Sequence, residues 1–176
     1  MATDGPLRVC FVCSGNICRS PMAEIVLREL AARADLGHLI EVDSAGTGDW
    51  HIGERADHRA LSALHRSGYD GQAHRARQFD PHWFGRRELV IALDRGHLRT
   101  LRSWAGNDSD RDRIALLRSF DPTLGADPPA SVLDVPDPYY DGDGAFDLVL
   151  GQIEASCAGL LLQLRARLDG LPISAV

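Results

Sequence analysis

The sequence contains no lysine, and all 19 of its basic residues are arginine. With 25 acidic residues the net charge is −6, which argues against general binding to nucleic acid or to anionic membranes. The composition bias of a high-GC bacterial genome would explain the arginines. Alternatively, several of them serve anion recognition, because the planar guanidinium group matches phosphate. Only their positions can separate the two explanations.

Long apolar runs are also missing. Hydrophobic residues make up 44% of the chain, but no uninterrupted run approaches the roughly 18 residues of a membrane span. The N-terminal segment Met1–Leu7 lacks the basic start and apolar stretch of a secretory signal. We therefore expect a cytoplasmic protein, with export by a non-classical route left open.

Cysteines are few, and they stand at positions 10, 13, 18 and 157. A small secreted protein held together by disulfides is excluded by the chain length and the apolar content. Cys10 and Cys13 have C-x-x-C spacing, but no second Cys or His pair follows at zinc-binding distance, so we expect no metal site. Clustered thiols in a reducing compartment favour thiol chemistry.

Strand and helix patterns alternate along the chain, which predicts an α/β fold with a parallel sheet and helices on both faces. We expect one domain over 1–176, with its core at about 7–168. In such folds ligands bind beyond the carboxyl ends of the strands. The predicted strands cover 7–12, 39–44, 88–93 and 113–117, the helices 20–34, 57–67, 95–104 and 146–168, and a long loop covers 119–144.

The segment after the first strand, CSGNICRS at 13–20, has the features of a phosphate-binding loop. A loop between a strand and a helix N-terminus presents N–H groups and partial positive charge to an anion. Gly15 and Asn16 tolerate the positive φ that such a loop often needs. The helix dipole and Arg19 would favour the thiolate of Cys13, the nucleophilic form. Bare C-x5-R is a weak signal, so the match depends on its position between strand and helix.

Four segments in order resemble the low-molecular-weight protein tyrosine phosphatase family, in particular bacterial members of the eukaryotic-like subclass. They are VCSGNICRSPMAE (12–24), DSAGTGDWHIGERAD (43–57), ALDRGHLRTL (92–101) and VPDPYYDGDGAF (135–146). The resemblance covers most of the chain. It implies a phosphotyrosine phosphatase I-like three-layer sandwich with strand order 2-1-3-4. It also implies hydrolysis of phosphotyrosine through a cysteinyl phosphate on Cys13, with Arg19 binding the phosphate.

A phenolate leaving group needs a general acid. The sequence offers four Asp-Pro pairs, beginning at Asp80, Asp121, Asp127 and Asp137, and such a pair by itself is typical of a turn. Asp137 stands out because two tyrosines follow it and because the segment resembles the family's acid loop. Asp121 is the second choice.

The resemblance also assigns binding and supporting residues. Together with Tyr139 and Tyr140, Trp50 would form the walls of a slot for an aryl phosphate, although simple surface packing would explain these aromatics as well. Ser44 and His74 would support the loop through Asn16, unless His74 is an ordinary solvated histidine. The residues expected to contact or position the substrate phosphate are Ser14, Gly15, Asn16, Ile17, Cys18 and Ser20.

Cys18 suggests a separate, redox role. A second thiol beside a reactive cysteine can trap its sulfenate as a reversible disulfide, and the family has a cysteine at the matching position with that proposed role. The alternative is a small buried thiol that only fills space. Cys10 and Cys157 fall in strand and helix patterns and are expected to be inert core residues.

Three other functions compete with this interpretation. Arsenate reductases share the fold but need a relay of further cysteines, and only Cys157 lies downstream. Arginine phosphatases have Thr where this chain has Ile17, and a bulky apolar residue suits an aryl ester better. A phosphotyrosine-binding module would need neither Cys13 nor Asp137. We therefore expect a monomeric phosphatase that acts on phosphotyrosine-containing proteins, releases inorganic phosphate and uses no cofactor.

Overall fold

The computed structural model describes residues 5–174 and is built around a four-stranded parallel sheet. The strands are β1 (Leu7–Cys13), β2 (Ile40–Gly46), β3 (Leu89–Ala92) and β4 (Ile114–Leu116). Their order is β2-β1-β3-β4, which confirms the predicted order. Phe11 in the central strand pairs with Ser44 on one side and with Ile91 on the other. The carboxyl ends of β1, β2 and β3 therefore lie side by side.

Five α-helices accompany the sheet in the described part of the chain. They are α1 (Arg19–Arg33), α2 (His58–Arg66), α3 (Arg95–Trp104), α4 (Asp108–Asp112) and α5 (Asp143–Leu168). The short α4 was not predicted from the sequence, because five polar residues carry no apolar periodicity. Its N-cap Asn107 accepts a hydrogen bond from the Asp110 N–H and starts the helix. The last helix begins three residues before the predicted start.

The predicted loop at 119–144 contains short 3₁₀ helices rather than being irregular throughout. They cover Pro122–Leu124 and Ala130–Leu133, and a further one, Leu117–Phe120, overlaps its start. The Asp-Pro pairs explain two of the 3₁₀ helices in the chain. Asp121 accepts a hydrogen bond from Thr123 N–H, and Asp80 does the same for His82 at the start of Pro81–Arg86. In both cases Pro occupies the first helical position, where its missing N–H costs nothing.

Apart from the exposed Arg8, the central strand β1 is buried on both faces, and its side chains alternate between two apolar layers. Val9 and Phe11 belong to the larger layer, which includes residues of α1, α2 and α5. Cys10 and Val12 belong to the smaller layer, which includes residues of α3 and the 81–86 turn. This arrangement is the three-layer sandwich that the sequence predicts.

The long helix α5 packs against α1 and against the Leu117–Phe120 turn. Gly159 permits this contact, because a Cβ atom there would lie 1.9 Å from the Phe120 carbonyl oxygen. By length and composition alone α5 could cross a membrane, with a mean hydropathy of 1.5 over its most apolar 18 residues. Core helices of globular proteins share these properties, and here Phe146, Ile153 and Leu160 are buried in the larger layer.

The prediction that residues 1–176 form one domain stays a prediction. Residues 1–4 and 175–176, including most of the N-terminal segment judged to lack a secretory signal, lie outside the described residues.

Candidate active site

The loop between β1 and α1 forms a cradle, defined here as residues 13–20, at the carboxyl edge of the sheet. Asn16 has φ 57°, as its residue type allows. Gly15 does not have a positive φ, and a different constraint applies to it. A Cβ atom at this position would lie 2.8 Å from Cδ2 of His51. Gly15 therefore leaves space for the His51 side chain beside the cradle.

Cys13 ends β1 with its side chain almost completely buried. Its Sγ lies 2.9 Å from Oγ of Ser20, the second residue of α1. A hydroxyl at this distance can donate a hydrogen bond to a thiolate, and the N-terminus of α1 adds partial positive charge. The local geometry therefore suits a nucleophilic sulfur.

Arg19 is buried and held from one side. Its Nη1 donates to Asp94 Oδ2 at 2.8 Å and to the Val135 carbonyl oxygen at 2.9 Å. Its Nε is buried and has no hydrogen-bond partner among the described residues. Nη2 lies 3.7 Å from Oδ2 of Asp137. The Nε/Nη2 edge is thus the side of the guanidinium left to bind an anion.

Sequence reasoning missed Asp94, although its position directly after β3 and at the N-cap of α3 was a usable signal. Burial by itself would raise the pKa of Asp94, but the nearby His97, its backbone N–H and the Arg19 guanidinium outweigh burial and hold that pKa below its ordinary value. Asp94 is therefore a carboxylate near neutral pH, and it compensates the buried charge of Arg19.

On the buried side of the cradle, Asn16 is fully buried and its side-chain amide makes three hydrogen bonds. Nδ2 donates to Ser20 Oγ at 2.8 Å and to Ser44 Oγ at 2.9 Å. Oδ1 accepts from the Arg77 N–H at 3.0 Å. The structure therefore brings Asn16, Ser20 and Ser44 together, as the resemblance implied.

His74 lies against the same network. Its Nε2 is 2.8 Å from the Asn16 carbonyl oxygen, and its Nδ1 is 3.3 Å from Glu24 Oε2. The same Glu24 oxygen accepts a hydrogen bond from Ser44 at 3.0 Å. Asn16, Ser44, Glu24 and His74 thus form a closed ring. Glu24 was missed because nothing in a helical Glu signals burial.

A cavity of about 400 Å³ opens above Cys13 and Arg19. Trp50, Tyr139 and Tyr140 stand at its mouth, and Trp50 and Tyr140 are exposed by 67% and 88%. His51, which the sequence reasoning did not single out, lines the cavity beside Trp50, and its Nδ1 lies 2.8 Å from Glu54 Oε2. The other lining residues are Ser14, Gly15, Ile17, Cys18 and Asp137, whereas Asn16 and Ser20 lie behind the wall.

Asp137 and Asp121 have very different surroundings. The Asp137 carboxylate is 47% exposed, lines the cavity and accepts a hydrogen bond from the Tyr139 N–H at 3.1 Å. Asp121 is buried, is bonded to Thr123 and does not line the cavity. Asp121 therefore serves as a turn residue, and Asp137 is the carboxyl group available to a bound ligand.

Cys18 lines the same cavity as Cys13. Burial, followed by the negative charges of Asp57 and Cys13, raises the pKa of the Cys18 thiol well above its ordinary value. Cys18 is therefore a thiol and not a competing thiolate. Within residues 5–174, no group of three or more His, Cys, Asp or Glu side chains is arranged to hold a metal ion.

Comparison with known proteins places this geometry in a family. The family model described as low molecular weight phosphotyrosine protein phosphatase matches residues 8–169. A low molecular weight protein-tyrosine-phosphatase of Streptomyces coelicolor is 54% identical over 164 residues, covering 93% of this chain and 96% of the relative.

Solved structures agree with the sequence match. The crystal structure of YfkJ from Bacillus subtilis has a TM-score of 0.82 at 37% identity and covers 93% of this chain and 97% of that one. The Drosophila arginine phosphatase DARP has a TM-score of 0.78 at 31% identity and covers 89% and 96%. The chain therefore belongs to the low molecular weight phosphotyrosine protein phosphatase family, a family of hydrolases.

Proposed function

We propose that this enzyme hydrolyses phosphotyrosine in proteins, with Cys13 as nucleophile, Arg19 as phosphate-binding residue and Asp137 as general acid and base. The observation that carries the proposal is that all three side chains line one cavity whose mouth is aromatic. A thiol next to a buried guanidinium and an exposed carboxyl group is the set of groups that phosphoryl transfer through an enzyme thiol requires.

In the first step the Cys13 thiolate attacks phosphorus, the S–P bond forms and the P–O bond to the aryl group breaks. Asp137 donates its proton to the departing phenolate oxygen. The Nε/Nη2 edge of Arg19 binds two equatorial phosphoryl oxygens, because Nη1 is already engaged by Asp94 and the Val135 carbonyl. These oxygens carry negative charge through the transition state, so Arg19 stabilises the transition state directly.

In the second step Asp137, now a carboxylate, takes a proton from water while the water oxygen attacks phosphorus. The S–P bond breaks, inorganic phosphate leaves and the Cys13 thiolate is restored. The Ser20 hydroxyl, 2.9 Å from Sγ, stabilises the departing thiolate. Each group thus returns to its starting state after one turnover.

The cavity wall supports an aryl substrate over phosphoarginine. Ile17, which stands where arginine phosphatases have Thr, lines the cavity with an apolar surface. Trp50, Tyr139 and Tyr140 can stack against a phenyl ring. Arsenate reduction would need Cys157 as an exposed partner, but that thiol is fully buried in α5. The expected partner is a phosphotyrosine-containing protein, the expected location is the cytoplasm, and we propose a monomer without a cofactor.

The test is turnover of phosphotyrosine and phosphoarginine peptides by the wild-type enzyme beside Cys13→Ser. We expect hydrolysis of the phosphotyrosine peptide, and a fall of roughly 10⁴-fold or more in Cys13→Ser. The variant should still bind the peptide, because the cradle is unchanged. Binding without turnover by the wild type would instead indicate a recognition module, and preferred hydrolysis of phosphoarginine would overturn the substrate assignment.

We also propose that Cys18 protects Cys13 from irreversible oxidation. Peroxide would convert the Cys13 thiolate to a sulfenic acid, and the Cys18 sulfur would attack it, forming a disulfide and releasing water. A thiol reductant would then restore both cysteines. Cys18→Ser should therefore lose activity irreversibly under peroxide, whereas equal recovery of wild type and variant after reduction would contradict this role.

A further inference from the structure

Ser14, the first residue of the cradle after the nucleophile, contacts a histidine that the mechanism above does not use. Its Oγ lies 2.8 Å from Nε2 of His97, a residue 83 positions later in α3. His97 is 5% exposed. A buried histidine that reaches across the sheet edge to the cradle has a specific partner there and is not simply filling space.

The same histidine contacts Asp94 at the start of its own helix. Nδ1 of His97 lies 3.2 Å from Asp94 Oδ1, and the backbone N–H of His97 donates to that oxygen at 2.9 Å. The other Asp94 oxygen accepts from Arg19 at 2.8 Å. A continuous chain of contacts, Ser14–His97–Asp94–Arg19, therefore connects the two ends of the cradle.

The protonation state of His97 suits a fixed support. Burial lowers the pKa of His97 to about 4, with Arg19 adding to the effect and Asp94, Asp137 and Asp134 opposing it. The ring is thus neutral near pH 7. Nδ1 is buried and makes no hydrogen bond among the described residues, but the negative charge of Asp94 at 3.2 Å favours a proton on it, which leaves Nε2 as acceptor for the Ser14 hydroxyl.

We propose that His97 is a positioning residue for phosphate binding, acting through Ser14 on one end of the cradle while Asp94 holds Arg19 at the other. This inference rests on the proposed function and deepens it. The cradle must hold the phosphate in the substrate, in the transition state and in the product alike. A support of this kind contributes to binding throughout the reaction, so its loss raises KM more than it lowers kcat.

The test measures binding of inorganic phosphate by calorimetry, together with kcat and KM on a phosphotyrosine peptide. His97→Leu removes the acceptor at similar size, whereas His97→Gln keeps an amide close to the position of Nε2. We expect His97→Leu to weaken phosphate binding and raise KM about fivefold to tenfold, the effect of one lost hydrogen bond, with kcat within about twofold. His97→Gln should recover most of the loss, and His65→Leu on the exposed side of α2 should change nothing.

A second variant keeps the test valid if His97→Leu does not fold. Ser14→Ala deletes the other end of the contact and should weaken phosphate binding to a similar degree. The double variant should lose no more than either single one, because both remove the same interaction. Wild-type phosphate affinity in Ser14→Ala or in folded His97→Leu would overturn the proposal, as would equal losses in the Leu and Gln variants.

The outcomes also separate this inference from the proposed function. Phosphotyrosine turnover by the wild type with equal phosphate affinity in all variants would reject the role of His97 alone. Absence of turnover, with phosphate binding that still depends on His97, would reject the phosphatase function and retain the positioning role.

Discussion

The cradle and the segment that carries Asp137 meet at one cavity but are built in opposite ways. In the cradle, Asn16, Arg19 and Ser20 are buried, and their side chains are hydrogen-bonded to buried or half-buried groups of other elements. In residues 134–141, Tyr140 is among the most exposed aromatic side chains, and Asp137 accepts a hydrogen bond only from the Tyr139 N–H, with Arg19 Nη2 at the longer distance of 3.7 Å.

Residues 134–141 are nevertheless hydrogen-bonded to the rest of the protein at their N-terminal end. Asp134 accepts hydrogen bonds from the Arg95 side chain and N–H, and Val135 N–H donates to the Leu93 carbonyl oxygen at 2.9 Å. The Val135 carbonyl in turn accepts from Arg19. The comparison teaches that phosphate binding depends on a network prepared in the core, whereas proton transfer depends on one exposed carboxyl group beyond a fixed anchor.

Asp137→Ala should impair proton transfer alone, and it should have the largest effect of the variants compared in this Discussion. We expect kcat on a phosphotyrosine peptide to fall roughly 10²- to 10⁴-fold, because the phenolate must then leave unprotonated. Phosphate binding should not weaken, since the substitution removes a negative charge 3.7 Å from Arg19 Nη2, and thermal stability should be unchanged, since the side chain is half exposed. The deficit should shrink with an aryl phosphate whose leaving group is more acidic. An equal deficit for both esters would contradict the acid role.

Asn16→Ala should disrupt the buried hydrogen-bond network of the cradle. It removes three buried hydrogen bonds and places Ala at a positive φ, so we expect the free energy of unfolding to fall by about 3 kcal/mol. Chemical denaturation measures this loss. Asn107→Ala, the same substitution at the exposed cap of α4, is the control and should cost about 1 kcal/mol. Similar losses for both would show that the buried network adds nothing.

Trp50→Ala tests whether the aromatic mouth recognises substrate. We expect KM for the phosphotyrosine peptide to rise about fivefold, because one aromatic contact is lost. Competitive inhibition by inorganic phosphate should not change, since phosphate does not reach the mouth. A parallel change in both constants would mean that Trp50 acts on the cradle and not on the aryl group.

Glu24→Gln should have the smallest effect. It tests, through the pH dependence of the free energy of unfolding, whether the Glu24 carboxylate stabilises the buried network behind the phosphate site. Burial would raise the pKa of Glu24, but hydrogen bonds from His74 and Ser44 and the charge of Arg28 outweigh it and lower that pKa below its ordinary value. A carboxyl group with a lowered pKa in the folded state stabilises the fold above its unfolded pKa, and this stability is lost as pH falls through the folded pKa.

The free energy of unfolding of the wild type should therefore decrease as pH falls below about 4.5, and the decrease should be smaller in Glu24→Gln. Denaturant titrations between neutral and acid pH measure the two slopes. Glu29→Gln, at a partly exposed position on the same helix that pairs with Arg33, is the control for loss of a surface carboxylate. Identical slopes in the wild type and Glu24→Gln would show that the ring behind the cradle is not held by the Glu24 carboxylate.

The sequence predicted the elements and the cradle well, because their signals are local. Short apolar runs marked the four strands, apolar periodicity marked the long helices, and Ser20-Pro21 marked the start of α1 within one residue. The cradle spans only eight consecutive residues, so its Cys, Arg and turn formers were visible together. The charged pentapeptide that forms α4 lacked such a pattern and was missed.

The sequence by itself determined the succession of strands and helices along the chain and the place of the cradle at the end of β1. Neighbouring residues decide both, through the apolar pattern and through helix capping. Only the tertiary structure decided that Asp94 holds Arg19, that His97 reaches Ser14 and that Glu24 closes a buried ring with Ser44 and His74. It also decided that Asp121 is buried in a turn while Asp137 faces the cavity. These contacts join residues up to 83 positions apart, and the packing of helices on the sheet selects them rather than any local pattern.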